Sequence, residues 1–380
     1  MSTNIHFQVL CLAIQAQFDS PDAPPVCMVG PAGAGKNKGG VERAASTLNK
    51  ELIHVSVPRH DPAEFNGYPY ICTETGSMKF YPPHWAVEVA LVHTPKKCIV
   101  FFDEASDGTR MTQAAMHGLL TDGTVGNVSI KGSAMVMAMN PPNIATTGGT
   151  ISVPFATRIF QIVWNTDKMD WIRQVMQGSW DTLAAKKLPS GWEKTIPASA
   201  AMVGQFLKKF PHLVDISEKD IEARGEDSWK PANVRRTWTH FWTLRAAAHA
   251  SGQKELCYML AEGTVGAPGI EYLAWEKDLE FGDPEVWLNN PHAQSFPQDD
   301  DRVFAVINAV MGAVLANNTP SRWNKGWEFL EFVRTKNFGD LAALGAPMLA
   351  KNRGKAKSLP PAIRNFLPML QAAGLVGGDE

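Results

Sequence analysis

Cysteine is scarce and unpatterned. The 380 residues hold five, at Cys11, Cys27, Cys72, Cys98 and Cys257, and no two form a C-x-x-C pair. That spacing excludes a disulfide framework and a cysteine-based zinc site. Cys27 and Cys98 fall inside apolar runs that read as buried strands, the usage of reduced thiols. Net charge is nearly absent too: 36 basic against 38 acidic residues leave −2. With no basic stripe, nothing draws the chain toward nucleic acid or an anionic membrane. No apolar run approaches the roughly 18 residues of a membrane span. Leu10–Ile14 is interrupted at Gln15 and Gln17 and lacks a preceding basic segment, so a cytoplasmic location is expected. Ten histidines are scattered, and His54 and His60 flank a strand end with no third ligand nearby, which favours core or surface roles over a metal. There is no internal repeat. The short basic run at 351–357 reads as a solvated loop.

What is present begins at Gly30-Pro31-Ala32-Gly33-Ala34-Gly35-Lys36-Asn37. It matches the phosphate-binding pattern G-x-x-x-x-G-K-[ST] except in its last letter. The glycines let backbone N–H groups turn inward around phosphates, the lysine reaches the β/γ-phosphates, and the final hydroxyl holds Mg²⁺. Val26–Val29 before it form a short buried-strand run, the setting the motif needs. After it, Gly39-Gly40 should weaken the first helical turn by about 1 kcal/mol per glycine, and residues 41–48 read as helix.

A second apolar run, Cys98–Phe102, ends in Asp103-Glu104. Ligands bind at the carboxyl ends of strands in open α/β sheets. Two carboxylates there can divide the work: Asp103 holds Mg²⁺ through water, and Glu104 orients or deprotonates the attacking water. Without the phosphate loop, the same residues would be a strand ending in a solvated acidic turn. A third run, Ala134–Met139, ends in Asn140-Pro141-Pro142, whose amide can bond a γ-phosphate or the water, or simply make a turn. Arg158 directly precedes a fifth apolar run at 159–164. Arg235-Arg236 stand in the first turns of a helix, where cations are disfavoured unless an anion is near.

In this order the elements resemble the AAA+ ATPases, and within them the MoxR-like group. Asp61–Pro69 is similar to that group's D-P-x-D-x-x-G-x-P stretch, and Pro82-Pro83-His84-Trp85-Ala86 to its P-P-x-W-A segment. The likeness covers residues 25–250 well. It implies a Walker A loop at 30–37, Walker B at Asp103-Glu104, with Asp103 and Asn37 toward Mg²⁺, sensor 1 at Asn140, an arginine finger at Arg158 and a sensor 2 arginine at Arg236, with Arg235 as the alternative. It further implies ATP and Mg²⁺ as ligands and a homo-oligomeric ring, a hexamer in the family's manner. Arg158 would then act on the neighbouring subunit's nucleotide, and the client would be a protein, of von Willebrand A type in this group. Three departures stand out: Asn37 for the hydroxyl, Gly39-Gly40 in the helix start, and Thr157 for the usual Asn or Asp before the finger. They weaken the expectation of hydrolysis more than that of binding.

The expected fold class is α/β: a P-loop AAA+ five-stranded parallel sheet, order 5-1-4-3-2, then a helical lid and a C-terminal helical extension. The expected boundaries are 1–165, 166–290 and 291–380. An amphipathic helix is expected over 1–20, strands near 26–30, 52–57, 98–102, 134–139 and 159–164, and a hairpin insertion at 72–83 that the family turns toward its ring pore. The main functional expectation is a remodelling ATPase. The alternative is a nucleotide-binding scaffold whose hydrolysis has decayed at Asn37. A DNA-remodelling role is disfavoured by the missing basic stripe.

Overall fold

The computed structural model describes residues 5–142, 150–165, 168–178, 184–279, 282–293, 295–353 and 359–375. Among the described residues nine strands form three sheets: β1 (Val26–Val29), β2 (Glu51–Ser56), β3 (Tyr68–Ile71), β4 (Met78–Tyr81), β5 (Cys98–Asp103), β6 (Thr124–Val125), β7 (Val128–Ser129), β8 (Ala134–Met139) and β9 (Phe160–Val163). The main sheet has the order β2-β5-β8-β1-β9, every pair parallel. Counting its own strands from the N-terminus, that is 2-3-4-1-5, the expected order read from the other edge. All four residues of β1 and the first five of β5 are buried. Central parallel strands are covered on both faces and so read as unbroken apolar runs. The edge strand β2 instead alternates, with Ile53 and Val55 inward and His54 exposed. The hairpin β3–β4 is antiparallel and pairs Tyr68 with Tyr81 and Ile71 with Met78, a few residues earlier than the expected 72–83.

The N-terminal helix α1 (Ile5–Asp19) corrects the amphipathic expectation, because Phe7 through Ile14 are all buried. The glutamines that interrupt its apolar run are spent on backbone. Gln8 Nε2 donates to Ala184 O at 2.9 Å, and Gln15 accepts from Leu188 N–H at 3.2 Å and donates to Lys186 O. Gln17 accepts from Met135 N–H at 2.8 Å on β8. Polar side chains that satisfy otherwise unpaired backbone groups can be buried without penalty, so a wet face need not follow from a glutamine.

The helix after the phosphate loop also differs. Lys36–Glu42 is a π-helical turn, and only then does α2 (Arg43–Leu48) continue as α-helix. Gly40 lies under the Trp164 ring: a Cβ there would stand 3.2 Å from Cζ2 of that ring and 3.0 Å from Met28 Sδ. Gly40 therefore allows close packing against Met28 and Trp164. A tighter contact holds Gly263, on the helix Cys257–Thr264, against β9. A Cβ there would fall 2.0 Å from Gln161 O. Gly263→Ala must displace backbone, and we expect it to cost about 3 kcal/mol or more, read as a lowered denaturation midpoint. An unchanged midpoint would show that the helix can lift off the strand freely.

The chain forms two compact units. One comprises Met1–Leu188, Leu213–Leu244 and Gln253–Ile270, the other Pro189–His212, Arg245–Gly252 and Glu271–Glu380. The second is helical, with a core of Trp287, Trp323, Trp327, Val310 and Leu330 among others, built largely from Asp300–Ala316, Pro320–Thr335 and Gly339–Lys351. Inside it Arg245 is paired with Glu276 and donates to Ser199 Oγ at 3.0 Å. Lys355 and Lys357 of the basic run and the expected boundary at Thr166 lie outside the described residues. Among the described residues no helix is long and apolar enough to cross a membrane, and all five cysteines are buried, with no disulfide among them.

Candidate functional site

The sheet order decides what can meet. The strand carrying Asn140 lies between the strand that feeds the phosphate loop and the strand that ends in Asp103. All three therefore deliver their carboxyl ends to one edge, where α/β sheets bind ligands. In the loop, Gly33 and Gly35 have φ of 76° and 77°, a region open to glycine at no steric cost.

Lys36 closes this group. Its Nζ donates to Gly30 O at 2.6 Å, to Pro31 O at 3.0 Å and to Asn140 Oδ1 at 3.1 Å. Half-burial pulls the lysine below its usual range, while Asp103, Cys27 and Glu104 oppose that shift. The ammonium thus lies in the field of both carboxylates. Residues 30 to 37, Asp103, Glu104 and Asn140 are brought to one edge, although Lys36 and Asn140 are 104 positions apart in sequence.

Glu104 is held in an unusual way. Its φ is 56°, a left-handed conformation that costs a non-glycine residue on the order of 1–3 kcal/mol and clusters at active sites. Its N–H donates to Asp103 Oδ1 at 3.0 Å, which holds the Asp103 carboxylate against the Glu104 main chain. Asp103 has a further neighbour that sequence reasoning missed: His54 Nε2 lies 3.4 Å from Asp103 Oδ2, with the imidazole stacked on Phe101 at 5.2 Å. The parallel register sets Ser56 beside Asp103 and His54 beside Phe101. The alternation of β2, with an exposed histidine two residues before the strand end, was the available signal. Asn37 is half-buried in the π-helical turn. An Mg²⁺ ion takes oxygen ligands and keeps several waters. The carboxylate of Asp103 and the neutral amide oxygen of Asn37 fit such an ion as donor types. Among the described residues no set of three or more His, Cys, Asp or Glu side chains is grouped to hold a metal by itself.

The two arginines form a second group. Arg158 follows the short helix Val153–Ala156, capped by Ser152. It donates from Nη1 to Pro154 O at 2.6 Å and from Nε to Thr121 Oγ1 at 3.1 Å. Thr157 does not replace the missing Asn by its amide; its hydroxyl donates to the same Pro154 O at 3.1 Å. Burial and then the charge of Arg236 pull the Arg158 guanidinium down, so the two cations are neighbours. His117, on α3 (Arg110–Asp122), is lowered by burial and then by Arg158 and Arg236. Arg235 and Arg236 open α4 (Arg235–Ala250). Arg235 is engaged elsewhere, 3.1 Å from Asp215, which leaves Arg236 as the one facing Arg158.

His240, one turn after Arg236, is buried, and its Nδ1 has no hydrogen-bond partner. Burial, with Arg236 adding to it, pushes it from 6.5 down to about 3. The folded state thus keeps it neutral where the unfolded chain takes up a proton. Its contribution to stability is whole above about pH 6.5 and drains away as pH falls toward 3. Between pH 7 and about pH 4.5 the fold should lose roughly 2–3 kcal/mol through this group. In His240→Gln, denaturant unfolding should show that part of the loss removed; an identical pH slope in both proteins would refute it.

Sequence comparison finds no matching family model and no matching curated protein. Among solved structures, a proposed ATPase from Cytophaga hutchinsonii is similar with a TM-score of 0.39 and 14% identity, over 69% of this chain and 80% of that one. A mutant of RuvB from Thermotoga maritima is similar with a TM-score of 0.30 and 12% identity, over 83% and 82%. The fold assignment rests on the sheet itself. A parallel five-stranded sheet in this order, with the loop after the first strand, is the AAA+ ATPase arrangement.

Proposed function

We propose that the chain binds ATP with Mg²⁺ and hydrolyses it as an AAA+ ATPase of the MoxR-like kind, remodelling a protein client as a ring. The observation that carries this is the meeting of Lys36 with Asn140, in the field of Asp103 and Glu104, at one sheet edge. A triphosphate competes for the protons that Lys36 now gives to Gly30, Pro31 and Asn140, and the loop N–H groups cradle it. Mg²⁺ held by Asp103 and Asn37 would neutralise charge on the β- and γ-phosphates. Glu104, next to Asp103 at the end of β5, orients the attacking water and takes its proton. Asn140, released from Lys36, turns its amide to the γ-phosphate or the water.

The adjacent cations Arg158 and Arg236 repel each other unless an anion lies between them. We assign them to the γ-phosphate of a neighbouring subunit's nucleotide, where they stabilise transition-state charge. Light scattering with ATP checks the ring: a monomer at every concentration would remove this role. The client, of von Willebrand A type by family likeness, is tested by capture with Glu104→Gln rings, whose release by ATP analogues should depend on Lys36.

A scaffold that binds without hydrolysing is favoured by Asn37 and the π-helical turn around it. Steady-state ATPase measurement against Mg²⁺ separates the two. If the site is hampered only in holding the ion, Asn37→Thr should raise the rate and lower the half-maximal Mg²⁺ concentration about tenfold, or about 1.4 kcal/mol. A flat, inactive curve in both proteins selects the scaffold.

A further inference from the structure

The Asp103 carboxylate is approached at both of its oxygens. Glu104 N–H donates to Oδ1 at 3.0 Å, and Nε2 of His54 lies 3.4 Å from Oδ2. The sheet decides the second approach. Phe101 and Asp103 are two residues apart in β5 and so share a face. The register sets His54 beside Phe101 and Ser56 beside Asp103, so His54 reaches the carboxylate diagonally across the strand pair. Its ring is stacked on Phe101, 15° from parallel. Phe101 is fully buried, so the imidazole rests on a fixed platform. His54 also borders a cavity of about 350 Å³, which His60, Glu64, Trp85 and Glu88 line as well.

We propose that His54 is a positioning residue for the carboxylate that holds the divalent cation. It acts through Asp103 and does not itself ligate the ion. The 3.4 Å separation is a little longer than an ordinary N–H···O hydrogen bond, and a small rotation of the imidazole on Phe101 closes it. Nε2–H then donates to Oδ2 while Glu104 N–H donates to Oδ1. Pinned at both oxygens, the carboxylate cannot turn, and its remaining lone pairs are aimed in advance. Partners that orient a metal ligand in this way are typically worth 10–100-fold in metal affinity. The inference rests on the Mg²⁺-holding role proposed for Asp103, and goes beyond it by naming the residue that makes that ligand effective.

Mn²⁺ is the probe, titrated into the full chain with a non-hydrolysable ATP analogue and read by electron paramagnetic resonance of the free ion. His54→Ala should weaken Mn²⁺ binding about tenfold or more. His54→Phe keeps a ring on Phe101 but has no N–H, and should lose as much. His54→Gln supplies an amide N–H and should recover most of the affinity. In His54→Ala the vacated space joins the cavity, so free imidazole should enter and restore Mn²⁺ binding, while leaving the unaltered chain unchanged. The His54 side chain is 48% exposed on an edge strand, so the denaturation midpoint should move little in any variant. Wild-type Mn²⁺ affinity in His54→Ala and His54→Phe, with the affinity lost in Asp103→Asn, overturns the role of His54 and leaves that of Asp103. Equal loss in all three His54 variants without rescue by imidazole also overturns it, because packing alone would then be at stake. If the unaltered chain binds no Mn²⁺, or Asp103→Asn binds it as tightly, the ion-holding role of Asp103 fails and the inference falls with it.

Discussion

Lys36→Ala should lower ATP affinity at least about a hundredfold. Hydrogen bonds to charged groups contribute about 1.5–3 kcal/mol each, and Nζ makes three in the folded chain, to Gly30, Pro31 and Asn140. A triphosphate inherits those protons, so losing two such bonds is enough for the hundredfold. The other cations of the site cannot substitute, because Arg158 bonds Pro154 and Thr121 and Arg236 lies with Arg158, His117 and His240. The side chain is half-buried at the surface of the sheet, so the melting temperature should move little. Calorimetry with ATP decides it: wild-type affinity in a folded Lys36→Ala protein would end the phosphate-loop assignment.

Glu104→Gln should keep ATP binding and lower hydrolysis about 10²–10⁴-fold. The amide preserves size and the N–H that holds Asp103 is main-chain, so the strained turn and the carboxylate proposed to hold the ion survive. Only the proton acceptor goes. Single-turnover assays with ATP bound at saturation isolate the chemical step, and a wild-type rate there would assign the water to another base. Asp103→Asn should behave differently. It removes the charged ion ligand and the acceptor that His54 faces at 3.4 Å, so it should weaken Mg²⁺ dependence and rate together.

Much of this was legible in the chain because parallel strands buried on both faces announce themselves. Val26–Val29, Cys98–Phe102 and Ala134–Met139 are apolar runs ended by a glycine, an acid pair and an asparagine, and ends of such runs are where chemistry sits. The strand order itself came from family likeness, not from spacing. What stayed hidden depends on contacts between distant residues. α1 looked amphipathic because its glutamines are polar, yet Ala184, Lys186, Leu188 and Met135 pair with them. Gly39-Gly40 looked like a defect because nothing local reveals that Trp164 arrives there. His54 looked idle because its partner is 49 positions away, fixed only by the register of β2 on β5. The proximity of Arg236 to Arg158 likewise joins residues 78 positions apart.

The central place of β1 has a consequence for the making of the protein. Val26 pairs with Val136 on one side and Phe160 on the other, so the strand emerges early and has no sheet neighbour until more than a hundred further residues exist. At about 5–20 residues per second of synthesis, that is a wait of roughly 5–20 s. Through that interval a fully apolar strand edge, followed by a glycine-rich loop with no sheet to anchor it, is open to other chains. Long-range parallel pairing of this kind is slow and aggregation-prone. The buried face of α1, which packs on β1, β8 and β9 once they assemble, is made even earlier and shares the exposure. A nascent chain of this architecture carries that exposure until β9 is complete, and faster translation would shorten it.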